Sequence, residues 1–255
     1  MKKRNLKHNS SGQVIIITAL LVATLLLSTA IYVIETEKEV PTANTSEENV
    51  FPAYQQSIRN TLISALADIT NGSKTSVLTD DLKELNAAIT SDSYQAMLQM
   101  NYTLLNAANT YQNGIWISWN GSQGISSDYV RFVFNSSAPS TSSSLAFDVH
   151  VTTEADLSGN YFQLNSSFTQ VNLTVNVLNE GKPALAQNFT FYFENATDDL
   201  VKVDSPIITD FGNGTYAVSF IAETDQPSDP LLVSMLCQDQ RGIFVGANVT
   251  CSNIA

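Results

Sequence analysis

The hydrophobic rhythm of the chain changes three times. Residues 14–34 are apolar and uncharged, broken only by Thr18, Thr24, Ser28, Thr29 and the phenol of Tyr32. As a helix rising 1.5 Å per residue, such a run spans ~30 Å, the thickness of a bilayer's hydrocarbon core. Residues 36–49 are polar, broken by Pro41, and read as a linker. From Tyr54 the period becomes helical. Tyr54, Ile58, Leu62, Leu66 and Ile69 fall on one helix face, and Gly72 suits the left-handed residue that ends a helix. Leu78, Leu82, Leu85 and Ile89 predict a second helix, starting near Thr79. Tyr94, Met97, Leu98, Leu104 and Leu105 predict a third, ending before Gly114.

Beyond Gly114 the period shortens to two. Short runs at 115–119, 129–134, 147–153 and 159–164 alternate aromatic or β-branched residues with polar ones. The last stretch alternates more strictly, as in Val171-Asn172-Leu173-Thr174-Val175-Asn176-Val177. A turn follows at Asn179-Glu180-Gly181-Lys182, with further strands at 187–193, 217–220, 231–236 and 243–249. Turn signals roughly every 8–12 residues predict a sandwich of about seven strands. The expected fold class is therefore α+β. An N-terminal transmembrane helix precedes a helical base packed on an antiparallel sheet, and an Ig-like β-sandwich closes the chain. The expected divisions are 1–12 basic stub, 13–35 transmembrane helix, 36–49 linker, 50–168 helices with sheet, and 169–255 sandwich.

Charge orients this plan. Lys2, Lys3, Arg4 and Lys7 precede the apolar run, and Glu35, Glu37 and Glu39 follow it. That asymmetry puts the N-terminus in the cytoplasm and the bulk of the chain outside a single-pass cell membrane, with residues 14–34 in the lipid. A cleaved secretory signal is the competing reading, but the run exceeds the usual 7–15-residue apolar core. The chain carries 24 Asp and Glu against 12 Lys and Arg, so it repels phosphate backbones and no nucleic-acid partner is expected. Only 14 % of residues are charged, below the roughly 25 % of soluble domains. Ser, Thr, Asn and Gln fill the gap, a surface suited to a glycoprotein.

Lys7-His8-Asn9-Ser10-Ser11-Gly12-Gln13-Val14, followed by the long apolar run, resembles the class III signal peptides of archaeal type IV pilin-like proteins. The resemblance implies cleavage after Gly12, Gln13 as the new N-terminus, and retention of the apolar helix. Farther on, Gly212-Asn213-Gly214-Thr215-Tyr216-Ala217-Val218 resembles the G-x-G-T-Y-x-V corner of filamin-like and bacterial Ig-like repeats. That resemblance implies a tyrosine tucked into a sandwich after a tight turn.

Candidate chemistry is sparse. Asn-x-Ser/Thr sequons stand at Asn44, Asn71, Asn101, Asn120, Asn135, Asn165, Asn172, Asn188, Asn195, Asn213 and Asn248. Asn120, Asn135 and Asn213 fall on expected loops and are the glycosylation candidates. Asn172 and Asn188 fall in strands, where occupancy requires an outward side chain. His150 stands alone in an expected strand, as a surface or half-buried residue rather than a base. No phosphate loop, dinucleotide fingerprint or zinc motif is present, so no catalytic residue, cofactor or metal is expected. Placed on one hairpin, Cys237 and Cys251 are offset by roughly 25 Å. Either they are unpaired, the reading preferred here, or the last strand bends back. The expected function is a membrane-anchored surface protein with a structural or adhesive role and a protein or glycan partner, without catalysis. A self-assembling pilin-like subunit, and an ectoenzyme or solute-binding module, are the alternatives. N-terminal sequencing of membrane-extracted protein separates the first two. Gln13 as first residue, together with visible filaments, favours the pilin-like subunit; an intact Met1 contradicts it.

Overall fold

The computed structural model describes residues 51–92, 98–106, 110–138, 141–195, 199–224 and 231–254. Residues 1–50 lie outside that description, and with them the expected stub, transmembrane helix and linker. No helix among the described residues is long and apolar enough to cross a membrane.

Two helices open the described chain. Helix α1 (Phe51–Thr70) buries Ile58, Leu62, Ala65, Leu66 and Ile69 on one side. It ends at Gly72, whose φ of 100° is left-handed. The amides of Gly72 and Ser73 then bond the carbonyls of Ile69 and Asp68. This closing pair satisfies the last turn's acceptors and needs a residue without a Cβ clash. Helix α2 (Ser76–Asp92) buries Leu78, Leu82 and Ile89.

The third expected helix is instead strand β1 (Leu98–Leu104). Leu98, Met100, Tyr102 and Leu104 alternate with Gln99, Asn101 and Thr103, a two-residue period that overrides the helical spacing. The strand pairs along its whole length with β3, giving that edge's backbone groups partners that a helix would deny them.

The remaining strands are β2 (Ile115–Ser118), β3 (Gln123–Ala138), β4 (Thr141–Gln163), β5 (Phe168–Asn179), β6 (Lys182–Pro183), β7 (Ala186–Glu194), β8 (Leu200–Lys202), β9 (Ile207–Asp210), β10 (Thr215–Glu223), β11 (Leu231–Asp239) and β12 (Phe244–Asn253). Their pairing makes one mixed network in the order β8-β7-β11-β12-β4-β5-β10-β9; β1 and β2 join through β3, which pairs with β4, and β6 through β5. The parallel step is β12 on β4, at Ser252 with Asn160 and Asn253 with Tyr161. The α+β expectation, with a helical base on its own antiparallel sheet and a separate Ig-like sandwich, is thus corrected. The described chain is mainly β, with two helices and twelve strands in one connected mixed sheet.

Strand β4 is the reason. In sequence it reads as two strands, interrupted near Gly159. In the fold its 23 residues run without a break. Its first part pairs with β3 to make a long antiparallel ribbon, flanked by β1 and β2 on the other edge of β3, and from Thr153 onward it pairs with β5. Gly159 is not a boundary. A Cβ there would collide with the Leu173 side chain and come within 3.0 Å of the Cys251 Sγ, so glycine lets the layers meet.

The sheet's two wings face each other over one core. From one side come Leu157, Tyr161, Val171, Leu173, Val175, Tyr216 and Phe220; from the other come Phe191, Phe193, Leu231, Val233, Met235, Val245 and Cys251. The Phe220 ring lies 6.5 Å from Phe191 and 6.3 Å from Phe193. Tyr216 is buried, and its hydroxyl accepts from the Ala186 amide at 2.7 Å and donates to the Ala186 carbonyl at 3.2 Å. Cys237 pairs with Val245 and Leu231 with Cys251, so the cysteines sit six positions apart, ~20 Å along the strand. Both thiols are free and buried, and burial pushes them up to about 12 and about 11.

The ribbon meets the core where Gly124 on β3 crosses Gly246 on β12. A Cβ on Gly124 would fall on the Gly246 carbonyl. Gly124→Ala is therefore expected to destabilise by about 1–3 kcal/mol. The measurement is the urea midpoint, which should fall at unchanged slope. An unmoved midpoint would show that these backbones do not touch.

Candidate functional site

The ribbon has two faces because side chains alternate along a strand. The pair Phe132 and Phe147 faces inward, toward Tyr54 of α1, whose ring stacks 6.1 Å from Phe134. The pairs Ser127 with Thr152, Tyr129 with His150, and Arg131 with Asp148 face the other way. Strand β2 adds Trp116 beside Ser127. A two-residue turn at Asn113 and Gly114, with φ of 51° and 77°, brings the preceding Tyr111 back over this face.

The result is a connected aromatic patch. The Tyr111 ring centre lies 5.7 Å from Trp116, 5.7 Å from Tyr129 and 6.1 Å from His150, and Tyr129 lies 5.5 Å from His150. On the rim, Arg131 grips Asp148 with two bonds of 2.7 and 2.9 Å, and the Tyr129 hydroxyl donates to Asp148 at 3.0 Å. The Arg131 bond holds the Asp148 carboxyl below its ordinary range.

Beneath the patch, His150 Nε2 lies 2.7 Å from the Tyr111 hydroxyl, 2.8 Å from Ser127 Oγ and 2.8 Å from Thr152 Oγ1. The ring's outer edge is exposed while Nε2 points inward, so burial still lowers the imidazole below its usual value. A base with a depressed folded value stabilises fully above its unfolded value, near 6.5, and less as pH falls through the folded one. Ser127 is fully buried, and its Oγ also donates to the Val151 carbonyl at 3.0 Å. A hydroxyl so enclosed offers no approach to an incoming carbonyl, so the serine–histidine contact braces the patch.

Under the ribbon lies a charged knot. Arg241, in the β11–β12 turn, bonds Asp239 at 2.8 Å, Glu180 at 2.7 Å, the Thr152 carbonyl at 2.9 Å and Thr153 Oγ1 at 2.9 Å. Glu180 reaches Arg59 of α1 at 2.9 Å and accepts the Thr152 amide at 3.0 Å. Burial alone would raise the Glu180 carboxyl; the bonds from Arg241 and Thr152 and the charges of Arg241 and Arg59 bring it below its ordinary value. Asp128 is the exception. Its Oδ1 accepts the Val151 amide at 3.2 Å, while Oδ2 is buried without a hydrogen-bond partner among the described residues. Burial pushes this carboxyl well above its ordinary value, against the weaker opposing pulls of the Val151 amide and Arg241.

The glycosylation candidates are dispersed. Asn120 is exposed after β2, and Asn213 is exposed in the β9–β10 turn, its Oδ1 accepting the Thr215 amide. Asn135 is half-buried within β3, because the strand runs through the expected loop to Ala138. Gly12 and Gln13 lie outside the described residues. The aromatic patch escaped sequence reasoning because it depends on the β3–β4 register; the visible signal was only that Ser127 and Tyr129, and His150 and Thr152, stand two apart. No family model and no curated protein matches the chain.

Two substitutions test this chemistry. An acid raised on folding binds more protons folded than unfolded, so stability falls as pH rises from ~3.9 through the raised value. Asp128→Asn is expected to raise the melting temperature at pH 7 and to lose that advantage below pH ~4; a lower melting temperature at pH 7 would mean an ionised, paired Asp128. Arg241→Met leaves the buried Asp239 without its cation and Glu180 with Arg59 alone, and is expected to cost about 3 kcal/mol in chemical denaturation. A loss under ~1 kcal/mol would show that the knot is dispensable.

Proposed function

We propose that the chain is an adhesive or structural module of the cell surface, attached to the bilayer by residues 14–34, that meets its partner through the aromatic face of the β3–β4 ribbon. The observation that supports this reading most is the patch itself: on the outward side Tyr111 touches Trp116, Tyr129 and His150, and Tyr129 touches His150. Aromatic rings on a rigid support supply large contact area at low entropic cost, and Tyr, Trp and Arg dominate binding hot spots. The Arg131–Asp148 pair gives the patch a polar rim, the arrangement that sets register around an apolar centre. The uncharged run, the lysines before it and the glutamates after it support the attachment.

The double variant Trp116→Ala, Tyr129→Ala in the full chain tests the reading. Both side chains stand on the outward face, so the fold should persist, as far-ultraviolet circular dichroism would verify. Adhesion of cells displaying the variant should fall at least ~30-fold, the scale of losing a hot spot of about 2 kcal/mol. Undiminished adhesion with a folded variant would remove the patch from the account. Protease added to intact cells should destroy the described residues; full protection would remove the surface location.

A further inference from the structure

The outer face of the opposite wing carries a second concave feature. Four strands contribute two parallel rungs to it. One is Ser158, Thr174, Ala217 and Thr209; the other is Asn160, Asn172, Ser219 and Ile207. Together they line a groove of about 540 Å³, within the roughly 300–1,000 Å³ of small-molecule clefts. Its floor is made mostly of short side chains, and no charged residue among the described ones lines it, although the chain carries a net charge of −12. Amides and hydroxyls beside Ala217 and Ile207 suit a neutral polyhydroxyl compound with apolar ring faces.

Asn172 and Thr174 form a sequon with Leu173. Because side chains alternate, Leu173 is buried in the core while Asn172 and Thr174 both point into the groove. Among the described residues, Asn172 Oδ1 accepts only a long 3.4 Å bond from Gln170, and its Nδ2 is bonded to no protein acceptor. The other strand sequons at Asn188 and Asn248 differ. There Nδ2 donates to Gln238 at 2.8 Å and to the Trp119 carbonyl at 3.0 Å.

We infer that Asn172 is a glycosylation site whose first neutral sugars lie in this groove as an ordered part of the fold. The inference rests on the surface location proposed above, since the sugar donor is a lipid-linked oligosaccharide phosphate used outside the cytoplasm. In the transfer, the Asn172 Nδ2–C1 bond forms, the C1–O bond to phosphate breaks, the phosphate leaves with the electron pair, and Nδ2 gives up one proton to a base of the transferase. Asn172 lies in the middle of a paired strand, so attachment precedes the pairing of β5 with β4 and β10.

Peptide mass spectrometry of the full chain, taken from the membranes of cells that make it, is the test. The peptide containing Asn172 should carry glycan mass. Thr174→Ser should keep that mass, and Thr174→Ala should lose it. Enzymatic removal of the glycan from the folded protein should lower its melting temperature by several degrees, whereas removal at Asn213 should not. Asn172 found bare while Asn120 or Asn213 is modified would overturn the inference and leave the surface location standing. All sequons bare, in a protein protected from external protease, would overturn both. A modified Asn172 whose deglycosylation leaves the melting temperature unchanged would overturn the seat in the groove.

Discussion

A single arginine sets the geometry of the rest. Arg241 reaches the β11–β12 turn, the β5–β6 turn and the middle of β4 at once, and Glu180 extends the contact to α1 through Arg59. The Asp239 side chain is wholly buried, and it is met there by the Arg241 guanidinium, the Thr153 hydroxyl and the amides of Arg241 and Ile243. Separate elements of the sequence therefore converge on β4 at Thr152 and Thr153. This is the point where the strand passes from the ribbon to the core.

That anchorage gives the aromatic patch a rigid base. Thr152 donates its amide to Glu180 and has its carbonyl held by Arg241, while its hydroxyl belongs to the cluster around His150. One residue thus couples the charged knot below the ribbon to the aromatic face above it. The groove on the other wing depends on the same strand further along, through Ser158 and Asn160. The two outward features are independent in their side chains and joined through the backbone of β4.

Local order was readable in the sequence where short-range rules decide it. The stripe of α1, its glycine stop, the Glu180–Gly181 turn and most strand positions follow from period and turn chemistry. Misreadings arose where distant contacts decide. Residues 98–104 become a strand because β3 offers an edge, and β4 runs through Gly159 because β5 and β12 press against it. The short edge strands β8 and β9 went unread; their side chains are exposed, so no burial pattern marks them. His150, Ser127 and Tyr111 are 16 to 39 residues apart, and only strand register brings them together.

The central claim is that the knot makes ribbon and core one cooperative unit, so that the aromatic face is presented rigidly. Native-state amide hydrogen exchange measures this directly. The paired amides of β3 and β4 in the ribbon should open with the same free energy as the slowest amides of β5 and β11 in the core. Ribbon amides that open at a far lower free energy, while the core stays closed, would contradict the account.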